Sequence, residues 1–324
     1  MNKKLLAIAV AAFVAAPAIA TAQTTLFGQV KYEVGYIDSV VGEGTDAGFV
    51  HSSKGTRLGV RGSEDLGGGM SAIYRFQGGM TSVNRPMSGN AFQTNEENWV
   101  GLRGGFGTLL LGRSDTAFKK AAVPFRAFTD TLAEPSLNLA NFGRDDGIHY
   151  SSPSIAGGLN LYLTIAPNGD GTDAYFAVAG VYSAGPFLVS AAYETSPEAG
   201  SYSAPIGDDE SNYSLGAKWN FGQGDVGLIW QAVGDGDDNV FTLPVNFKVT
   251  PNVNLRAAAQ YVDLDSGDDW TNFGIGAQYM FSSRTEAFVN IWVDDEVGQT
   301  LPQGGTAQVS ADSTQFGFGL RHSF

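Results

Sequence analysis

The chain has 324 residues, no cysteine, 43 glycines and a formal net charge of −14. That acidity excludes a nucleic-acid binder, whose affinity rests on a basic surface, and the missing cysteines exclude a disulfide framework. Mean hydropathy is −0.07, and no stretch after residue 22 approaches the ~20 consecutive apolar residues of a membrane-crossing helix.

Residues 1–22 carry Lys3 and Lys4, an apolar run from Leu5 to Val14 and a small-residue end. That order is the pattern of a secretory signal, with cleavage expected after Ala22 or, alternatively, Ala20. Once it is removed, 17 basic residues face 33 acidic ones, a net charge of −16. The expected organisation is a signal peptide at 1–22 and one β-domain at 23–324.

From Thr25 onward the hydrophobic period is two. In the first segment Leu26, Gly28, Val30, Tyr32, Val34 and Tyr36 share one face, while Gln29, Lys31 and Glu33 share the other. A strand of roughly ten residues with one apolar and one polar face suits a tilted stave between lipid and water. Similar segments recur at 57–64, 71–77, 97–103, 108–113, 148–152, 159–166, 174–183, 187–195, 211–219, 225–233, 240–249, 253–262, 273–279 and 285–293. With the two ends the count is about sixteen, and alternation keeps mean hydropathy near zero.

Connector lengths alternate too. Short links such as Gly67-Gly68-Gly69, Ala184-Gly185 and Thr250-Pro251-Asn252 interleave with longer polar stretches at 38–54, 78–95, 196–209 and 294–311. Outer-membrane barrels have short periplasmic turns and long external loops. Charge is sorted in step with this. Acidic runs at 208–210, 235–238, 263–269 and 294–296 fall in connectors, whereas Lys31, Arg57, Arg61, Arg75, Arg103, Arg113, Lys218, Lys248, Arg256, Arg284 and Arg321 fall inside strands. Charge inside a spanning strand is tolerated facing a lumen and costly facing lipid. The pattern predicts a pore with basic walls and acidic external loops.

One connector, 113–144, is out of proportion. It holds a helix-compatible 116–122 and the aromatics Phe125, Phe128 and Phe142. Structureless loops of that length are uncommon, so it is expected to fold into the barrel, pack its phenylalanines on the wall and narrow the pore. The last segment places Phe316, Phe318, Leu320, His322 and Phe324 on one face and ends on an aromatic residue.

Several stretches together resemble the general porins of Gram-negative bacteria, over essentially the whole mature chain. They are residues 24–30, the hairpin 57–70 (RLGVRGSEDLGGGM), residues 100–108 with Leu111-Gly112-Arg113, residues 144–153 and the terminal Phe324. Gly147 departs from the family's frequent Asn, and 124–139 matches loosely. The resemblance implies a 16-stranded antiparallel transmembrane barrel in the bacterial outer membrane, a homotrimer, and a third loop folded into the lumen. It also implies passive diffusion of small hydrophilic solutes, no cofactor, and Phe324 as a barrel-assembly signal.

A charged constriction needs a polar ring with a field across it. Its candidates are Arg57, Arg61, Arg75 and Arg113 on the wall, and Asp115, Lys119, Lys120, Arg126, Asp130 and Glu134 on the loop. Neutralising Arg113 or Arg126 is expected to shift selectivity toward cations. Acidic mouths favour cations and basic walls anions, so the sequence leaves net selectivity open. The acidic loops could bridge to lipopolysaccharide through divalent cations, although 263–269 lacks the Glu of an EF-hand. A barrel hydrolase is disfavoured: His51, His149 and His322 are the only histidines, and none forms a nucleophile set or zinc spacing. A plugged, adhesin-like barrel is the other alternative.

Overall fold

A computed structural model describes residues 23–38, 48–80, 96–134, 143–167, 174–195, 211–233, 238–263, 265, 269–294 and 313–324. The signal segment, Phe142 and most of the acidic runs lie outside these residues.

The described strands are β1 (Gln23–Ile37), β2 (Gly48–Ser52), β3 (Thr56–Gly67), β4 (Met70–Met80), β5 (Asn98–Gly104), β6 (Gly107–Asp115), β7 (Arg144–Ser151), β8 (Leu159–Ala166) and β9 (Tyr175–Ala184). They continue as β10 (Phe187–Thr195), β11 (Ser211–Asn220), β12 (Gly224–Val233), β13 (Asp238–Lys248), β14 (Val253–Asp263), β15 (Trp270–Met280), β16 (Thr285–Asp294) and β17 (Ser313–Ser323). Every neighbouring pair is antiparallel, and β1 closes the sheet by pairing with β17 on one side and with β2 and β3 on the other. The strands β2 and β3 are two parts of one stave, because β2 pairs with the far end of β1 and β3 with its start. The result is a closed barrel of sixteen staves.

Closure follows from the alternation. Leu26, Val30, Tyr32 and Tyr36 are exposed on the outside of β1, while Gln29, Lys31 and Glu33 are buried on its inside. The same division puts Leu215, Leu228, Ile275 and Phe318 outward and Ser214, Gln231, Asn272 and Asn290 inward. Buried polar atoms of Ser190, Ser214, Gln231, Asn272 and Asn290 find no protein partner among the described residues. An inner face of polar side chains beneath an outer face of apolar ones suits a spanning barrel with a polar interior.

Rings cluster near the short-turn end. Trp219 and Phe221 have centroids 5.6 Å apart, and Tyr279 and Phe281 5.0 Å apart. A second group, including Tyr193 with Tyr213 and Phe241 with Tyr261, lies at the other end of the staves. Two such girdles are what the interfaces of a bilayer select.

Most strands run a few residues past their expected bounds. The stretch 48–52, expected as part of a connector, is strand β2. A five-residue segment interrupted from β3 by Ser53, Lys54 and Gly55 carries too few alternations to register as a strand in sequence.

Candidate functional site

The segment between β6 and β7 enters as a short helix, α1 (Ala117–Ala122), followed by a 3₁₀ turn at Val123–Phe125. Thr116 caps α1 by accepting the Lys119 N–H at 3.2 Å, a role suited to a hydroxyl at that position. Pro124 sits at the start of the 3₁₀ turn, where its missing N–H costs nothing.

The barrel wall fixes this segment at several points. The Ala117 N–H donates to the Thr164 hydroxyl of β8 at 2.9 Å. His149 of β7 sits 3.1 Å from the same hydroxyl through Nδ1. Its Nε2 lies 3.0 Å from the Asp145 carbonyl and 3.1 Å from the Gly112 carbonyl. Two carbonyl partners place the proton on Nε2, so Nδ1 accepts from Thr164. His149 therefore positions α1.

Further along, Phe118 and Ala121 pack on Ala177, Ala179, Ala192 and Val240 of the wall. Phe125 lies over β11 and β12, where a Cβ on Gly216 would come within 2.4 Å of its ring. Phe128 lies over β15, where a Cβ on Gly276 would come within 2.9 Å, and its ring meets Trp292 edge-on at 5.9 Å. Side-chain-free wall positions thus form seats for both rings. Each buried phenylalanine contributes about 1.5–3 kcal/mol. Among the described residues a cavity of ≈ 30 Å³ lies between segment and wall, lined by Phe125, Phe128, Ile229 and Gln260 among others.

The segment then reaches the opposite side of the barrel. Glu33 of β1 accepts the Leu132 N–H at 3.0 Å, and Lys31 donates to the Asp130 carbonyl. Asp130 adopts a left-handed backbone, φ 63°, which is uncommon outside glycine but tolerated by Asp. This turns its carbonyl toward Lys31 while its N–H donates to Glu134 at 2.9 Å. Glu134 also binds Arg126 and, at 2.8 Å, Lys54. Arg256 of β14 donates to the Ala127 carbonyl at 3.3 Å.

At the segment's start Asp115 pairs with Lys119 at 2.7 Å and with Arg144 at 2.9 Å. Arg144 reaches Glu96 at 3.2 Å, and Arg75 pairs with Glu97 at 2.5 Å. Burial holds the ammonium groups of Lys119 and Lys120 below the usual lysine range, against the opposing pull of Asp115 on both. Burial also lowers the Arg126 guanidinium, with Asp130 and Asp115 opposing.

A closed sixteen-stave barrel with this inner face has counterparts among known proteins. The family model described as Gram-negative porin matches residues 7–299. The chain belongs to that family. It is a general outer-membrane porin for passive diffusion, and not an enzyme. The porin is 28% identical over 362 residues to the major outer membrane protein P.IB of Neisseria meningitidis serogroup B, covering all of both chains. It is 27% identical over 358 residues to outer membrane porin protein 32 of Delftia acidovorans, again over all of both. Among solved structures, the anion-selective porin from Comamonas acidovorans superposes with a TM-score of 0.75 at 22% identity, covering 94% of this chain and 100% of that one. A mutant of the Rh. blastica porin gives a TM-score of 0.70 at 19% identity, over 93% and 100% of the two chains.

Of the residues singled out in this porin's sequence, the structure brings Asp115, Lys119, Lys120, Arg126, Asp130 and Glu134 together on one segment against the inner wall. By strand register Arg57, Arg61 and Arg75 lie on the inner side of β3 and β4. Arg113 stands apart. It alternates with the exposed Leu111 and pairs at 3.1 Å with Asp146, which is in step with the exposed Ile148. Strand parity therefore sets Arg113 on the other face of the sheet, because one step along a strand reverses a side chain.

Sequence reasoning passed over Lys31, Glu33, Lys54, Glu96, Glu97, Thr164 and His149 as site residues. Lys31 and Glu33 did carry a signal, being charges at period-two spacing on the polar face of an amphipathic strand.

Proposed function

We propose that residues 116–134 form the constriction of this porin, and that its rim favours small anions among the hydrophilic solutes that pass. What supports this is the reach of one segment from β8 and β9 to β1, which in a closed barrel runs across the lumen. Two carboxylates at the segment are engaged, Asp115 by Lys119 and Arg144 and Glu134 by Arg126 and Lys54, while Asp130 makes no ion pair among the described residues. Arg57 and Lys120 have no carboxylate partner among the described residues. Lys120 instead lies 5.5 Å from the Tyr162 ring centroid. A low-dielectric rim with surplus positive charge concentrates anions.

The working unit of this proposal is a homotrimer, joined through the apolar outer face of β1 and β17. A groove of ≈ 720 Å³ there is lined by Tyr32, Val34, Phe318 and Leu320 among others. Export by the 1–22 signal and bridging of the acidic loops to lipopolysaccharide by divalent cations belong to the same reading.

Single-channel recording in a planar bilayer under a salt gradient tests it. Conductance steps in groups of three with a reversal potential on the anion side are expected. A pore with a cation-side reversal potential at low salt would overturn the assignment of the rim.

A further inference from the structure

We infer that the outer face of this porin carries a site for an anionic phospholipid of the periplasmic leaflet. Arg284 and His322 hold its phosphate, and one acyl chain lies in an apolar groove over β13 to β16. The inference rests on the orientation of an outer-membrane barrel, whose short turns face the periplasm. It does not rest on the constriction or on the contact between copies.

On the outer face of the last staves, side chains of a single carbon follow one another across neighbouring strands. Register places Ala257 opposite Val245 and Ile275, Ala277 opposite Leu255 and Val289, and Ala287 opposite Tyr279 and Leu320. Each alanine therefore sits low between bulkier neighbours. A groove of ≈ 430 Å³ opens there, lined by Ala257 and Ala277 together with Val245, Phe247, Ile275 and Ile291. It shares Ala277 and Val289 with the ≈ 720 Å³ groove, which carries on to Ala287 and Tyr279. Lipid tails are as apolar as leucine, so this surface gains from them only by close packing. An acyl chain fits a continuous channel of that kind, and the head group selects the lipid.

The short-turn end of the groove supplies the selection. Tyr279 and Phe281, edge to face at 5.0 Å, mark the bilayer interface there. Two residues along β16 from Ala287, about 7 Å at the rise of an extended strand, Thr285 lies on the same face, paired in register with His322. The Thr285 hydroxyl is 2.8 Å from Nδ1 of His322. With Nδ1 accepting that hydroxyl, the exposed ring keeps its Nε2–H as a donor. Arg284 is held beside it, because its carbonyl accepts the Ser323 N–H at 2.8 Å.

Arg284 is exposed, and its side chain makes no ion pair or hydrogen bond among the described residues. The carboxylate nearest along the strand, Glu286, is buried on the inner face and bound to Arg321 at 2.6 Å. A guanidinium and an imidazole N–H at interface depth, with no carboxylate paired to them, complement a phosphodiester. Arginine takes such a group through two parallel N–H donors.

The test titrates the folded porin, stripped of endogenous lipid in detergent, with dioleoylphosphatidylglycerol, and counts retained lipid by native mass spectrometry. One lipid per barrel is expected to bind saturably, about five-fold or more tighter than dioleoylphosphatidylcholine, whose choline is repelled by Arg284. The half-saturating concentration should rise about five-fold or more in Arg284→Gln, which removes the head-group donor, and in Ala277→Phe, which fills the groove. Arg103→Gln removes a different charge near the short turns and should leave it within about two-fold. Inorganic phosphate at the same concentrations should not displace the lipid. Folding of each variant is checked by heat-modifiable migration on gels. Equal retention in wild type and Arg284→Gln, or of the two lipids, would overturn the head-group site. Displacement by inorganic phosphate would reduce it to a free-anion site without the groove. An Ala277→Phe variant that keeps the lipid but loses its oligomeric state would give the groove to a second copy of the chain instead.

Discussion

The Glu33 carboxylate accepts a hydrogen bond from the Leu132 backbone N–H at 3.0 Å, tying the first strand to a residue 99 positions further along the chain. Lys31, two residues earlier on the same face, pairs with Glu33 and donates to the Asp130 carbonyl. Both side chains are almost wholly buried, 2% and 0% exposed. The pair is the far mooring of a segment that leaves the wall at Asp115.

Removing one partner of a buried pair leaves the other charge uncompensated, which costs about 3–5 kcal/mol. Glu33→Ala is therefore expected to lower the temperature at which the folded band is lost on gels. Residues 130–132 lose their anchor, so open-channel current noise should rise as well. Wild-type noise in a correctly folded Glu33→Ala variant would show that the mooring does not hold the rim.

Gly216 gives Phe125 its seat, and any Cβ there would intrude to 2.4 Å. Gly216→Val should destabilise the barrel by about 1–3 kcal/mol through overpacking. It should also displace the 3₁₀ turn into the lumen and reduce unitary conductance. Conductance equal to wild type, recorded channel by channel, would argue that the ring is not seated there in solution.

Arg126 and Arg113 separate by face. Arg126→Gln should shift the reversal potential toward cations, lowering the anion-to-cation permeability ratio on the order of two-fold. Arg113→Gln should leave it unchanged, since parity directs that side chain away from the segment. A shift for Arg113 alone would reverse the assignment of the two residues.

Lys120 links selectivity to pH. Its ammonium is held below the usual lysine range, chiefly by burial, with Asp115 and Glu97 opposing. The folded protein therefore releases this proton before the unfolded chain does. As pH rises toward 10.5 the unfolded state binds more protons, so this group's penalty on stability is relieved over that interval. Over the same interval the rim loses a positive charge, and anion preference should decline at a lower pH than a free lysine would give. Reversal potentials between neutral and alkaline pH, compared with Lys120→Gln, read this directly.

Phe324 closes the barrel seam. Its N–H donates to the Gly28 carbonyl at 3.0 Å and its carbonyl accepts the Gly28 N–H at 3.1 Å. A Cβ on Gly28 would stand 2.5 Å from its ring. Deleting Phe324 should reduce the yield of heat-modifiable barrel in the outer membrane, with material held up as unfolded chain. Unchanged yield would mean that the ring is dispensable for assembly.

The staves are legible in the order of the amino acids. Period-two alternation is local, and it sorts Leu26, Val30 and Tyr32 from Gln29, Lys31 and Glu33 without reference to any distant residue. Turn glycines and the lengths between them set the hairpins and hence the barrel, and the packed character of 113–144 was visible in its phenylalanines. Which of its charges meet depends on the folded barrel. The partners of Asp130 and Leu132 lie 99 residues away in β1, and the seats for Phe125 and Phe128 are glycines of β11, β12 and β15. The facing of Arg113 turns on strand register, where a one-residue step reverses a side chain. Closure of the sheet brings these residues together, and closure is a property of all sixteen staves at once.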